Sequence, residues 1–240
     1  MIDSGPPAAA DRHPHLAEPR RPGHVRVDMH LHTMWSGDAT TTPDELAAAV
    51  AASGLDVLCI TDHGTTNGAT RLAESGELGC RVVVGQEQRT WAGELIGLFL
   101  AERIPNGLPP DEVCRRIREQ GGLVYVPHPF DPMRQCLRAD VLEGLVADGL
   151  IDAIEGRNAK TSLESLNAQA VAAAARWGLP CGAGSDAHVP EAVGAAYVEV
   201  PDFIDASSFL EALRAGSVIG HHSDPPRAWR SRIVPSTKAT

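Results

Sequence analysis

Short apolar runs recur along the middle of this chain, separated by stretches of helical period. Val25 to His30, Asp56 to Thr61, Arg81 to Glu87, Glu94 to Leu100, Leu123 to Pro127, Ile151 to Glu155, Leu179 to Gly184 and Ala195 to Val200 read as strands, and Ser217 to Gly220 as a last short one. Helices fall between them. Thr42-Pro43-Asp44-Glu45 is a capping box with proline at the first helical position, opening a helix to about Ala52 that Gly54 ends. Pro110 to Gln120 starts acidic, ends basic and stops at Gly121-Gly122, which suits the helix dipole. Ala139 to Asp148, the alanine-rich Ser162 to Trp177 and Ala206 to Ala215 complete the set. Strand–helix alternation of this kind predicts an α/β domain built on a mostly parallel sheet or barrel.

The polar residues that end these strands change the picture from fold to chemistry. In Asp28-Met29-His30-Leu31-His32 the two-residue period of a strand projects Asp28, His30 and His32 from one face. Imidazole nitrogen plus carboxylate oxygen is the ligand chemistry of Zn, Mn or Fe. The pattern repeats: Asp62-His63 follow the second run, Glu87 the third, His128 stands in Val126-Pro127-His128-Pro129, and Asp186 and His188 follow Gly182-Ala183-Gly184-Ser185. In a barrel of parallel strands the C-terminal strand ends converge on one mouth. Core packing does not explain several strands that each end in a metal-type ligand, so a shared metal site is expected.

Taken together, Asp28-x-His30-x-His32-Thr33-x-x-Ser36, Thr61-Asp62-His63, Gly85-x-Glu87, Pro127-His128-Pro129 and Gly184-Ser185-Asp186-x-His188 resemble the PHP (polymerase and histidinol phosphatase) family, in the family's order and over residues 25–222. The resemblance implies a distorted, TIM-like (β/α)7 barrel with its metal centre at the C-terminal ends of the strands. It implies two or three divalent ions (Zn, Mn or Fe) and hydrolysis of phosphate esters. It places His30, His32, Glu87 and Asp186 on a first ion, Glu87 and His128 on a second, and His63 and His188 on a third. Asp38 stands where many members carry a further histidine for that third ion. Asp28 and Asp62 are expected to orient neighbouring imidazoles. The family often adds a histidine to the second ion, yet none lies between Glu87 and His128, and Ile96 occupies the strand position where one is expected. Two tight ions with one labile ion, or three tight ions, both fit.

Adjacent cations bring the pKa of bound water to about 7, so a metal-bridging hydroxide would attack phosphorus in line. Asp38, His63 and His188 are candidate catalytic proton donors to the leaving oxygen if the third ion is absent. Arg134 and Arg157 are candidate substrate-binding residues, because guanidinium forks match phosphate oxygens; Asn158 and Lys160 are further candidates. Aromatic content of 4% gives little sign of a long base-stacking groove. A small phosphorylated substrate (monoester or diester, including a nucleotide, with histidinol phosphate suggested only by the family's name) is therefore favoured over a polymer. An exonuclease-like hydrolase of short oligonucleotides, a metallohydrolase of a carbon-centred bond and a non-catalytic scaffold are the competing readings.

A length of 240 residues suits one such domain. The net charge of −10 argues against a stable nucleic-acid partner, though bound cations locally reverse the field in a pocket. No apolar run approaches the roughly 20 residues of a membrane span. The first residues lack the apolar core of a signal peptide, and the five cysteines are scattered with no CxxC pair, which together predict a cytoplasmic, thiol-reduced protein. Cys59 and Cys181 read as core residues. Residues 1–24 are expected to form a disordered tail with solvated His13, His15 and His24, residues 25–222 the PHP domain, and residues 223–240 a loosely ordered tail, with His221 and His222 solvated or hydrogen-bonded.

Overall fold

The computed structural model describes residues 9–227. Nine strands form one sheet among these residues: β1 (His24–Leu31), β2 (Val57–Ile60), β3 (Arg81–Thr90), β4 (Gly93–Leu98), β5 (Leu123–Val126), β6 (Ala153–Asn158), β7 (Cys181–Gly184), β8 (Ala196–Pro201) and β9 (Ser217–Gly220). Their order is β7-β6-β5-β4-β3-β2-β1-β8-β9. β1, β2 and β3 pair in parallel, as do β5, β6 and β7. The ends of the β1–β7 arc meet where Asp186 N–H donates to the His30 carbonyl at 2.7 Å, so the sheet curls into a nearly closed barrel. This is the expected α/β barrel, with a different strand count and direction. β4 runs antiparallel to both neighbours, and β8 and β9 add an antiparallel flap to β1.

Helices α2 (Pro43–Ser53), α4 (Pro110–Glu119), α5 (Ala139–Ala147), α6 (Glu164–Trp177) and α7 (Ala206–Arg214) lie where the periodicity puts them; α1 (Ala9–Arg12) and α3 (Asn67–Ser75) are additional to that pattern. The capping box of α2 is formed, with Thr42 and Glu45 exchanging hydrogen bonds, and Gly54 closes the helix at φ 66°. Inward-facing Val27, Met29, Cys59, Ile96, Tyr125 and Ala183 fill the barrel, and Phe203 and Phe209 pack against them. Two further apolar clusters seal the sheet against its helices. None of the described helices is long and apolar enough to cross a membrane.

The amino-terminal segment departs from the expected tail. From Ala9 onward it folds against the barrel, and His13 is buried. His13 Nε2 lies 2.9 Å from the Glu191 carbonyl and His15 Nε2 2.9 Å from that of Gly194. Their Nδ1 atoms face opposite nitrogens of His221, at 3.3 and 3.2 Å. Three imidazoles thus clasp the start of the chain to the end of β9. At the other end, Ser223 N–H donates to the Ala159 carbonyl at 2.8 Å and Arg227 reaches the Asp38 carbonyl at 3.0 Å, so the described residues 223–227 run past the barrel mouth without regular structure, and the rest of the expected tail, residues 228–240, lies outside the described residues. Residues 1–8 also fall outside the described part.

Burial lowers the pKa of His13 to about 4 and also lowers those of His15 and His221. The unfolded histidines, near 6.5, therefore bind protons that the folded clasp rejects, and the clasp loses stability as pH falls from about 6.5 toward 4. Hydrogen exchange in residues 9–17 is expected to accelerate over that window ahead of the barrel strands. Uniform exchange behaviour across the window would show that the clasp does not titrate.

Candidate metal centre

The barrel mouth gathers the eight residues expected as metal ligands, His30, His32, Asp38, His63, Glu87, His128, Asp186 and His188. Glu87 is central and buried. Its Oε2 lies 3.5 Å from His30 Nε2, 3.3 Å from His32 Nε2 and 3.1 Å from His63 Nδ1, while its Oε1 lies 3.1 Å from His128 Nε2. Asp186 Oδ1 stands 3.8 Å from His30 Nε2, 3.5 Å from His32 Nε2 and 3.4 Å from His188 Nδ1. Asp38 Oδ2 stands between His63 Nε2 at 3.4 Å and His188 Nε2 at 3.1 Å. Parallel strands β1, β2 and β3 deliver the first four groups, β5 and β7 the loops carrying His128 and Asp186. Those two residues hold φ values of 29° and 49°, left-handed conformations that cost about 1–3 kcal/mol each and persist where the surroundings enforce them.

These residues fit divalent ions by their donor chemistry. His30 Nδ1 faces Glu155 Oε1 at 3.1 Å, and His32 Nδ1 faces Ser36 Oγ at 3.1 Å. Assigning the ring proton to Nδ1 in each leaves two Nε2 lone pairs facing each other across 3.1 Å, an arrangement that a cation satisfies and a proton-free gap does not. A tetrahedral ion with bonds of about 2.0–2.1 Å holds its ligands about 3.3 Å apart, near the spacings found here. Asp38 Oδ1 is buried with no hydrogen-bond partner among the described residues. Four overlapping sets place their ligand atoms within 4.8 Å of one another: His30, His32 and Asp186; His30, Glu87 and His128; His32, Asp38, His63 and His188; and His63, Glu87 and Glu94.

Glu94 is the notable addition. It is 4% exposed, with Oε2 3.8 Å from His128 Nε2 and Oε1 3.8 Å from His63 Nδ1. It supplies a carboxylate beside the second ligand set, where the sequence offers no histidine. Burial, then the charge of Glu87, raises its pKa. Two buried carboxylates side by side are the setting in which a cation relieves repulsion.

Other buried groups brace the ligands. Glu155 takes the His30 ring on Oε1 and the His128 backbone N–H on Oε2 at 2.6 Å. Asn158 Nδ2 donates to Glu155 and to Asp186, at 3.0 and 3.2 Å. Lys160 Nζ lies 3.0 Å from His188 Nδ1 and 3.6 Å from Asp186 Oδ1, behind the ligands and away from the pocket lining. Gly184 permits this packing, since a Cβ there would stand 2.3 Å from His30 Cβ.

Asp28 and Asp62 do not orient imidazoles as expected. Asp28 accepts backbone N–H groups from Ser185 at 2.9 Å and Gly194 at 3.4 Å, fastening β1 to the β7 side, and burial lifts its pKa to about 7. Asp62 accepts from the Thr33 N–H and hydroxyl, both at 2.7 Å, and burial lifts its pKa to about 6. Arg157 turns away from the mouth to pair with Glu164 on α6, with Nη1 3.1 Å from Oε2, and lines neither the metal pocket nor its neighbouring cleft. Arg134 does line the pocket, as does Arg227.

Comparison with known proteins settles the family. The PHP domain model matches residues 28–102 and a PHP-associated model residues 164–218. An uncharacterised protein of Methanocaldococcus jannaschii is 33% identical over 199 residues, covering 79% of this chain and 79% of the relative. The chain belongs to the PHP family. A second uncharacterised protein of the same archaeon is 38% identical to this PHP chain over 137 residues, 52% of this chain and 80% of that one. Among solved structures, a two-domain protein from Bacteroides vulgatus containing a predicted PHP-like metal-dependent phosphoesterase superimposes with a TM-score of 0.69 at 20% identity, covering 85% of this chain and 67% of that one. That likeness is one of fold.

Proposed function

We propose that this PHP protein hydrolyses a small phosphate ester, a monoester or a diester. The observation that carries the reading is the pairing of two guanidinium groups with the ligand cluster. Arg134 and Arg227 stand on the wall of a pocket of about 160 Å³ whose lining also includes Asp38, His63, Glu87, Glu94, His128, Asp186 and His188, together with a third guanidinium, Arg89, that is already paired with Glu94 at 3.3 Å. A carbon-centred hydrolase has less use for two cations beside a metal centre; a phosphoryl group has use for both.

Divalent ions held by these side chains would supply Lewis acidity, activating water near neutral pH and offsetting charge on the phosphoryl oxygens. The chain's own groups do the rest. Arg134, which makes no ion pair among the described residues, and Arg227, anchored through one nitrogen on the Asp38 carbonyl, grip the non-bridging oxygens. Glu155, Asn158 and Lys160 hold the His30, His128, Asp186 and His188 side chains in register. Should Asp38, His63 and His188 hold no ion, His63 is the proton donor to the leaving oxygen. With no ion at the centre, burial pulls its pKa down, but the Asp38 hydrogen bond and the Glu87 charge outweigh that and raise it to about 9; an ion on Glu87 removes part of that rise and leaves the Asp38 hydrogen bond to hold the proton on the ring.

The test is phosphate release from a panel of monoesters, diesters and mononucleotides in Mn or Zn buffer, for the native chain and for Arg134→Ala. Release from at least one class is expected. The variant is expected to raise KM about 10–100-fold with kcat little changed, the loss of a charged hydrogen bond worth about 1.5–3 kcal/mol. Arg157→Ala serves as the control that leaves KM unchanged. No release from any member of the panel would discard the phosphoesterase reading and leave the carbon-centred one.

A further inference from the structure

A larger cleft of about 730 Å³ opens beside the metal pocket and shares Asp38, His63, Glu87 and Arg89 with it. Its far side is built from Trp91, Thr90, Asn106 and Gly107. An ester whose phosphoryl group sits among the metal ligands must send its leaving group into this space or out to solvent.

Trp91 is the unusual feature of that space. It is 65% exposed, although few large apolar side chains on the described surface are. The backbone that carries it is braced. It occupies the first loop position of the hairpin between β3 and β4, where Thr90 pairs with Gly93. Ala92 beside it is buried, its carbonyl accepts from Arg138 N–H at 2.8 Å, and Glu94 N–H donates to the Gln135 carbonyl at 2.8 Å. Gly93 is pressed against the Cys136 carbonyl so closely that a Cβ would stand 2.3 Å from it. The Arg138 guanidinium lies 5.7 Å from the indole centre. A water-exposed indole on so well braced a tip, two residues after Arg89 in sequence and lining the same cleft as Asp38 and Glu87, offers a flat face at low ordering cost. Across the cleft, Asn106 Oδ1 accepts from Gln88 Nε2 at 3.1 Å, which fixes the amide with its NH2 end as the donor.

We infer that this cleft is the leaving-group subsite and that it takes the base of a mononucleotide, stacked on Trp91 with a polar edge toward Asn106. The inference rests on the phosphoesterase reading above and narrows it. A volume within the usual range of small-molecule sites, with one stacking platform instead of a row of them, fits a single base and not a strand.

The experiment compares Trp91→Ala and Trp91→Phe with the native protein on AMP and on glycerol phosphate, and follows indole fluorescence during titration with adenosine. Trp91→Ala is expected to lower kcat/KM for AMP about 10-fold or more while leaving glycerol phosphate unchanged, and Trp91→Phe to restore most of the loss. Adenosine, which carries no phosphate, is expected to quench the native protein and not the alanine variant. Equal effects on both esters, no effect on either, or turnover of glycerol phosphate without turnover of AMP would overturn the subsite. If neither ester is hydrolysed, the phosphoesterase reading fails by itself, and the adenosine titration still decides whether the cleft binds a base: quenching that depends on Trp91 supports it and its absence overturns it.

Discussion

Glu87→Ala is expected to remove bound metal and activity together. This one carboxylate faces four imidazoles: one oxygen lies 3.1 Å from His128, and the other lies 3.1–3.5 Å from His63, His32 and His30. Burial opposes its ionisation, but the surrounding imidazoles win and hold its pKa well below the usual range, so it stands ready as an anion between cations. Charge stabilisation by such ions is worth several kcal/mol, so kcat/KM should fall at least about 1000-fold. Truncating a buried charge also threatens the fold. Glu87→Gln keeps the volume and one acceptor oxygen, and is expected to fold normally yet show the same paired loss. A glutamine variant that keeps both its metal and its rate would remove Glu87 from the centre of the site.

Glu94→Gln has the second largest expected effect. If the carboxylate completes the set around Glu87, His128 and His63, its loss should weaken binding of one ion by about 10–100-fold and lower kcat in step at limiting metal. Excess Mn or Zn should then restore much of the rate. Elemental analysis against added metal, run beside the kinetics, separates this from a role in packing. A rate loss that added metal never restores would make Glu94 a structural residue.

Both residues show what the sequence could and could not reveal. Glu87 was legible because it ends an apolar run, and ends of parallel strands converge. Glu94 was not, because β4 runs antiparallel and brings its beginning, not its end, to the mouth; Ile96, the strand position where a histidine is expected, faces the barrel core. Glu155 ends the β6 run and obeys the same rule as Glu87, so the signal for it was present and unused.

Arg157 failed for a local reason. The pairing of β6 with β7 shifts register between Glu155 and Arg157, and this bulge breaks the alternation that would have turned Arg157 inward. Asn158 faces the site in its place. The order of residues 9–17 has no trace in periodicity, because it depends on partners more than 170 positions away, such as the Glu191 carbonyl for His13. α3 lacks a side-chain cap, which is the mark by which α2 was recognised. Asp28 and Asp62 lie on the expected elements, but backbone N–H groups reach their carboxylates before any imidazole does.

The most direct test of the metal centre is elemental analysis of the purified protein before and after dialysis against a chelator, with phosphate release measured on the same samples. The account predicts two or three divalent ions per chain, loss of release with the ions, and recovery when Mn or Zn is returned. A folded protein that carries no ion and releases phosphate unaffected by the chelator would contradict it.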